Sequence, residues 1–237
     1  MPDIVWPAGI EAHIGESAQH VALELADAVA EFLNARLLVA ERASLAVSGG
    51  STPLPFFHAL SLKSLDWGRV DVVLADERWV DETDAVSNTR LVKENLLRNN
   101  AAVAKYFPLK QSGNTPHAGV EAVSAGLATL TRPLDVLILG MGNDGHTASL
   151  FPDAPELVRA MDLESREVVA AMTPPSQGQS RITLTYALMC EARFTALHLK
   201  GNDKLETLKR AFALPEDLLA MPVRGFLNPG LQVFWSP

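Results

Sequence analysis

Apolar residues recur at helical spacing near the start of the chain, at Val21, Leu25, Val29, Phe32 and Leu33. They predict one long helix from about residue 16 into the region of residue 37. Beyond it the pattern changes to short apolar runs bounded by glycine or charge, the signature of strands buried on both faces of a parallel sheet. SLAVSGGSTP (44–53) reads as such a strand, a glycine turn and a helix start, with Thr52 or Ser51 as cap and Pro53 in the first turn. VDVVLADERWV (70–80) reads as a second buried strand that ends in charges. The pattern predicts helices over 88–98 and 117–130, followed by a strand over 135–139. VVAAM (168–172) and FTALHL (194–199) read as strands, while RITLT (181–185) fits either a strand or the approach to a helix in YALMCEA. A helix over 204–212 and a terminal strand, LQVFW (231–235), complete the pattern. Strands alternating with helices predict an α/β fold, a parallel or mixed sheet with helices on both faces. No shift in composition marks a boundary, so residues 1–237 are expected to form a single domain.

Composition narrows the partners. The chain is 48% hydrophobic and 20% charged, which supports a sizeable core. No apolar stretch approaches the ~20 residues of a membrane span. The N-terminal MPDIVWPAGIEAH lacks the basic and apolar segments of a signal peptide, so no membrane partner is expected. One cysteine, Cys190, can form no internal disulfide. Its place beside Met189 in an apolar segment predicts a core thiol in a cytoplasmic protein. A net charge of −8 argues against nucleic acid as a general partner. A small anion stays open, because one phosphate needs only two or three local cations and some backbone N–H groups. The expected assembly is a monomer or a weak homo-oligomer.

Three places concentrate chemistry. In Ser48-Gly49-Gly50-Ser51-Thr52 adjacent glycines let backbone N–H groups converge at a helix start, and hydroxyls add donors. That suits a phosphate, although an ordinary strand-to-helix turn has the same letters. No lysine follows as in a Walker loop, and no dinucleotide fingerprint is present. Arg78, at the end of ADERWV, fits bidentate phosphate pairing, with Asp76 and Glu77 as helix caps or salt-bridge partners in the plainer reading. In LDVLILGMGNDGHTASLFP (134–152) a buried strand runs into a turn with Gly140, Gly142 and Gly145, which carries Asp144 and His146. Ligands sit at the carboxyl ends of strands in such sheets, and an imidazole two residues from an acid fits a base and its orienting partner. The remaining histidines are scattered and match no zinc spacing, so no metal is expected. Arg181 and Lys204 add cations. Lys204 falls near a helix start, where the macrodipole disfavours it unless an anion is bound.

SGGSTP, ADERWV, SNTRL, LGMGNDGHTASLFP and RITLT occur in this order. In this they resemble the glucosamine-6-phosphate isomerase/6-phosphogluconolactonase family, specifically its lactonase branch, over nearly the whole chain. The resemblance implies a modified Rossmann-like α/β fold and hydrolysis of 6-phospho-D-glucono-1,5-lactone to 6-phosphogluconate, the oxidative pentose phosphate step, without a cofactor. It implies that His146 is the general base with Asp144 beside it. It also implies that Ser48, Gly49, Gly50, Ser51, Thr52, Arg78, Arg181 and Lys204 line a sugar-phosphate pocket. The deaminase branch carries F-N-E-P where this chain has Ser149-Leu150-Phe151-Pro152, so its proton-moving glutamate is here Phe151. For a lactonase, the turn around Gly142 and Gly145 is expected to supply oxyanion N–H groups. A non-catalytic sugar-phosphate sensor is the reading from a different class; it would keep the clamp and lose the acid–histidine pair. A covalent hydrolase is disfavoured by the lack of a G-x-S-x-G elbow.

Overall fold

The computed structural model describes residues 4–237; Met1, Pro2 and Asp3, which open the N-terminal segment, lie outside the described residues. Strand β1 (Glu11–Ile14) leads to α1 (Ala18–Leu37), which Ser17 caps by accepting from the His20 N–H. The predicted helical stripe of Val21, Leu25, Val29 and Leu33 is fully buried. Next come β2 (Ala43–Val47), α2 (Leu54–Ser61), β3 (Val70–Leu74), β4 (Asp76–Arg78), α3 (Asn88–Asn95), β5 (Lys105–Phe107), α4 (Pro116–Gly126) and β6 (Val136–Leu139). The chain ends through α5 (Leu157–Ala160), β7 (Val169–Met172), β8 (Arg181–Leu184), α6 (Tyr186–Met189), β9 (Phe194–Lys200), α7 (Asn202–Ala213) and β10 (Gln232–Ser236). The periodicity did not reveal β1 or β5, which are edge strands of four and three residues, too short to show a pattern.

Seven strands form a parallel sheet in the order β1-β10-β9-β6-β2-β3-β5, and β4-β8-β7 form a small antiparallel sheet. The central strands β2, β3 and β6 are buried at every position. Both of their faces are covered, which is why they read as continuous apolar runs. Two carboxylates inside this core are fully partnered. Asp135 accepts from Arg36 Nε (2.6 Å) and the Ser44 N–H (3.0 Å), and Asp71 from Arg42 Nε (2.9 Å) and the Thr131 hydroxyl (2.8 Å). From β2 the chain crosses to β3 on one side, whereas from β6 it crosses to β9 on the other. Right-handed crossovers then place α1 and α2 on one face and α4 and α7 on the opposite face. The reversal between β2 and β6 opens a crevice at their carboxyl ends, the usual ligand position in such a sheet.

Three local expectations are corrected. VDVVLADERWV is two strands, not one. Ala75 donates its N–H to Val47 O (2.8 Å) in the large sheet and accepts from the Leu184 N–H (2.9 Å) in the small one, handing the chain from one sheet to the other. Asp76 and Arg78 thereby reach the wall of the crevice, while Glu77 stays buried and turns to the start of α3. Neither Thr52 nor Ser51 caps α2; Pro53 holds the cap position with no side-chain bond, which leaves both hydroxyls free. Cys190 is exposed rather than buried. It follows α6 immediately after buried Met189, and one residue of helical rotation turns it outward. Burial of part of its surroundings nevertheless pushes the thiol pKa up, so it is not an activated nucleophile. RITLT resolves as strand β8. No helix among the described residues is long and apolar enough to cross a membrane.

Candidate active site

The loop after β2 and the loop after β6 flank the crevice, and β4, β8, β9 and the first turn of α7 close its sides. The cavity measures about 310 Å³, and Ser48, Gly49, Gly50, Ser51, Thr52, Arg78, Gly142, His146, Arg181 and Lys204 all line it. Asp144 and Gly145 do not line it. Four cationic side chains (Arg78, Arg181, Lys200, Lys204) face one carboxylate (Asp76) around this wall. A chain of net charge −8 therefore builds a locally positive cavity, which focuses its field on small anions.

Arg78 and Arg181 occupy directly opposed positions in the antiparallel β4–β8 pair. Like charges across a ladder destabilise it unless something of opposite sign lies between or beside them. Glu77 reaches this pair only through its charge, which helps to favour the charged form of Arg181; its oxygens accept from the N–H groups of Asn88 (2.8 Å) and Thr89 (2.6 Å) and from the Ser87 hydroxyl, which makes it the acid of the α3 N-terminus. Arg78 donates to Val86 O (2.6 Å) and Asn88 Oδ1 (3.2 Å), which fixes its head and leaves further N–H groups free. Arg181 is 9% exposed, and its closest carboxylate contact, Asp76, is 3.8 Å away. Burial pulls the Arg181 guanidinium below its ordinary pKa, with Asp76 opposing the shift and Arg78 adding to it. Its Nε is buried without a partner, and so is Ser48 Oγ on the same wall. Buried polar atoms are normally satisfied; here they outline a place for ligand oxygens.

His146 Nδ1 lies 2.6 Å from Asp144 Oδ1, which also accepts the His146 backbone N–H (3.1 Å). With Nδ1–H donated to the carboxylate, Nε2 is the nitrogen left for the cavity. Burial pushes the Asp144 carboxyl up, but the hydrogen bond and charge of His146 outweigh it, and the carboxyl sits below its ordinary range. The imidazole stacks on Phe151 at 4.1 Å, and the Arg181 guanidinium carbon is 5.1 Å from the same ring. Phe151 is 1% exposed and so sets the spacing between the histidine and the cation wall. Ala148, next along the motif, has φ +49, a strained value for alanine at the cavity edge.

The glycine turn has a different role from the expected one. The Gly142 N–H donates to His146 O (2.9 Å) and the Gly145 N–H to Gly142 O (3.0 Å), so neither is available to an oxyanion. Gly142 is needed for space: a Cβ there would lie 2.2 Å from the imidazole of His146. Gly145 is buried against Met221 and accepts from the Val223 N–H (3.0 Å). The turn is thus a mount for His146.

Lys204 lies in the first turn of α7 as expected, and its Nζ donates to Asn143 Oδ1 (2.6 Å). Arg210, two turns on, donates to Asn143 O (2.6 Å). Asn143, Arg210 and Asn88 were not among the expected site residues, because each acts through a contact remote in sequence. Asn88 packs against Gly49 while its amide donates to Asp76 O (3.0 Å), tying the phosphate-type loop to β4. Its signal was present in SNTRL, as an Asn opening a helix.

Comparison with known proteins agrees with this architecture. The family model described as "Glucosamine-6-phosphate isomerases/6-phosphogluconolactonase" matches residues 16–235. A 6-phosphogluconolactonase from Rhizobium meliloti is 42% identical, with 95% of this chain and 98% of the relative aligned. One from Pseudomonas aeruginosa is 44% identical over 99% of this chain and 98% of the relative. The crystal structure of a 6-phosphogluconolactonase from Shewanella baltica superposes with a TM-score of 0.94 at 38% identity, covering 98% of this chain and all of that one. Fold, motif order and sequence agree, and the chain belongs to the glucosamine-6-phosphate isomerase/6-phosphogluconolactonase family.

Proposed function

We propose that the protein is a carboxylic ester hydrolase that opens 6-phospho-D-glucono-1,5-lactone to 6-phosphogluconate. The observation that carries this reading is the His146–Asp144 pair at 2.6 Å, set beside a cavity with unpaired buried cation and hydroxyl atoms. The relatives' names supply the substrate class. Neutral His146 takes a proton at Nε2 from a water whose oxygen bonds to C1, and the carbonyl electrons move onto the carbonyl oxygen. Collapse of the tetrahedral species re-forms the carbonyl and breaks the C1–ring oxygen bond. The imidazolium returns its proton to the departing ring oxygen. Asp144 holds the tautomer and stabilises the imidazolium, as a triad acid does. The Ser48–Thr52 loop, Arg78, Arg181 and Lys204 hold the phosphate, so binding energy far from C1 becomes alignment at C1.

Phe151 separates this chemistry from the deaminase alternative. A phenyl ring moves no proton, and lactone opening needs no second acid there. The test is hydrolysis of freshly generated lactone, coupled to 6-phosphogluconate dehydrogenase, for wild type and His146→Ala. Acceleration over the spontaneous rate in wild type, lost in the variant, is the expected result. No acceleration by wild type would sink the enzymatic reading and leave the sugar-phosphate sensor.

A further inference from the structure

His198 takes no part in the chemistry above, yet it is built into the same cavity. It lines the wall on β9, is 5% exposed, and its Nδ1 is buried with no hydrogen-bond partner. Strand alternation sets His198 on the same face of β9 as Ala196 and Lys200, with Leu197 and Leu199 on the other, so a buried polar ring sits one step inside the Lys200 end of the cavity. The imidazole meets Phe56 edge-on with ring centres 6.0 Å apart. Phe56 belongs to the first turn of α2, so the ring lies beside the helix start that the Ser48–Thr52 loop feeds. The N–H groups of Gly49, Gly50, Ser51 and Thr52 have no acceptor among the described residues, and Ser48 Oγ is unpartnered on the same wall. Burial pulls the imidazole pKa down to about 4, so at neutral pH the ring is uncharged and carries one N–H donor. An apolar residue would fill this place without an orphaned nitrogen. A buried ring nitrogen held unpaired is what a ligand oxygen repays, by drawing the single N–H of the ring toward itself.

We propose that His198 is a ligand-binding residue that donates a hydrogen bond to the phosphate of the bound sugar phosphate, beside the Ser48–Thr52 loop. The proposal rests on the sugar-phosphate reading of this cavity. A neutral donor adds direction where four cations already supply charge.

His198→Phe keeps the ring and its contact with Phe56 and removes both nitrogens; His198→Gln keeps a donor. For His198→Phe, KM for the phosphorylated lactone should rise ~10–100-fold with kcat little changed. KM for unphosphorylated gluconolactone should be unchanged, and the Tm of the free protein equal or higher. His198→Gln should recover part of the loss. Inorganic phosphate should compete less well against His198→Phe than against wild type. An unchanged KM, an equal rise for both lactones, or a lowered Tm with KM intact would overturn the proposal. Calorimetric binding of 6-phosphogluconate separates it from the activity itself, because binding needs no turnover. A wild type that binds the product without hydrolysing lactone would refute the enzymatic reading alone. Equal binding by wild type and His198→Phe would refute the role of His198 alone, and no binding by wild type would refute both.

Discussion

The two loops that meet at the topological switch are both rich in glycine, and their backbones are in opposite states. After β2, the N–H groups of Gly49, Gly50, Ser51 and Thr52 have no acceptor among the described residues. After β6, Gly142 and Gly145 donate within the turn, Asp144 takes the His146 N–H, and Thr147 Oγ1 donates to Gly140 O (2.7 Å). Arg210 and Val223 then fasten that turn from outside. Under the proposed function, one loop is an open receptor for an anion and the other a rigid mount for a base. Glycine marks both because both bring backbone close to something. Only a full account of where each N–H goes tells a cradle from a mount.

The largest effect should come from the residue on the mount. His146→Ala should lower kcat by ~10²–10⁴-fold with little change in KM, read in the coupled assay after subtraction of spontaneous hydrolysis. Full turnover in the variant would remove the base from His146. The glycines give the direct contrast between the loops. Gly142→Ala drives a Cβ into the His146 ring, and displacement of the base should cost up to ~10²-fold in kcat. Gly50→Ala meets open space but inherits φ +97, a strain of about 1–2 kcal/mol, and should raise KM while sparing kcat. If the two substitutions gave the same kinetic signature, the division into cradle and mount would fail. Next in size, Arg78→Ala should raise KM for the phosphorylated lactone ~10–100-fold and leave activity on gluconolactone intact. Equal loss on both lactones would place Arg78 at the reacting end.

Much of this division was legible in the sequence, and the illegible part has a physical cause. The central strands read correctly because β2, β3 and β6 are buried on both faces and carry unbroken apolar runs. His146, Asp144 and the loop at 48–52 were visible because their chemistry is local in sequence. The break at Ala75 was not, since it depends on two hydrogen bonds to strands far along the chain. The same holds for the glycine turn: its letters predicted free N–H groups, and hydrogen bonds within the turn had already taken them. Arg210 and Asn143 are paired across 67 residues, a distance no motif spans. His198 could have been found as a histidine between two leucines in a buried strand, but its orphaned nitrogen is a property of packing.

The smallest predicted effect tests whether the mount is held by charge. The Asp144 carboxyl has a folded pKa below its ordinary value, because the hydrogen bond and charge of His146 outweigh burial. A depressed carboxylate pKa contributes stability that is complete above the unfolded pKa, about 3.9 for aspartate. That contribution disappears as pH falls through the folded value. Asp144 is half exposed, so solvent screening should keep it below about 1 kcal/mol. Urea midpoints should therefore show Asp144→Ala less stable than wild type at pH 7 and pH 5, with the gap closing below the ordinary aspartate range. The cradle offers the control, since Ser48 to Thr52 contain no group that titrates there. The penalty of Gly50→Ala should be the same at every pH. A gap for Asp144→Ala that persists in acid would mean that the turn is held by packing against Met221 and by Arg210. In that case Asp144 would serve only to set the tautomer of His146, and the mount would owe its rigidity to the C-terminal segment that grips it.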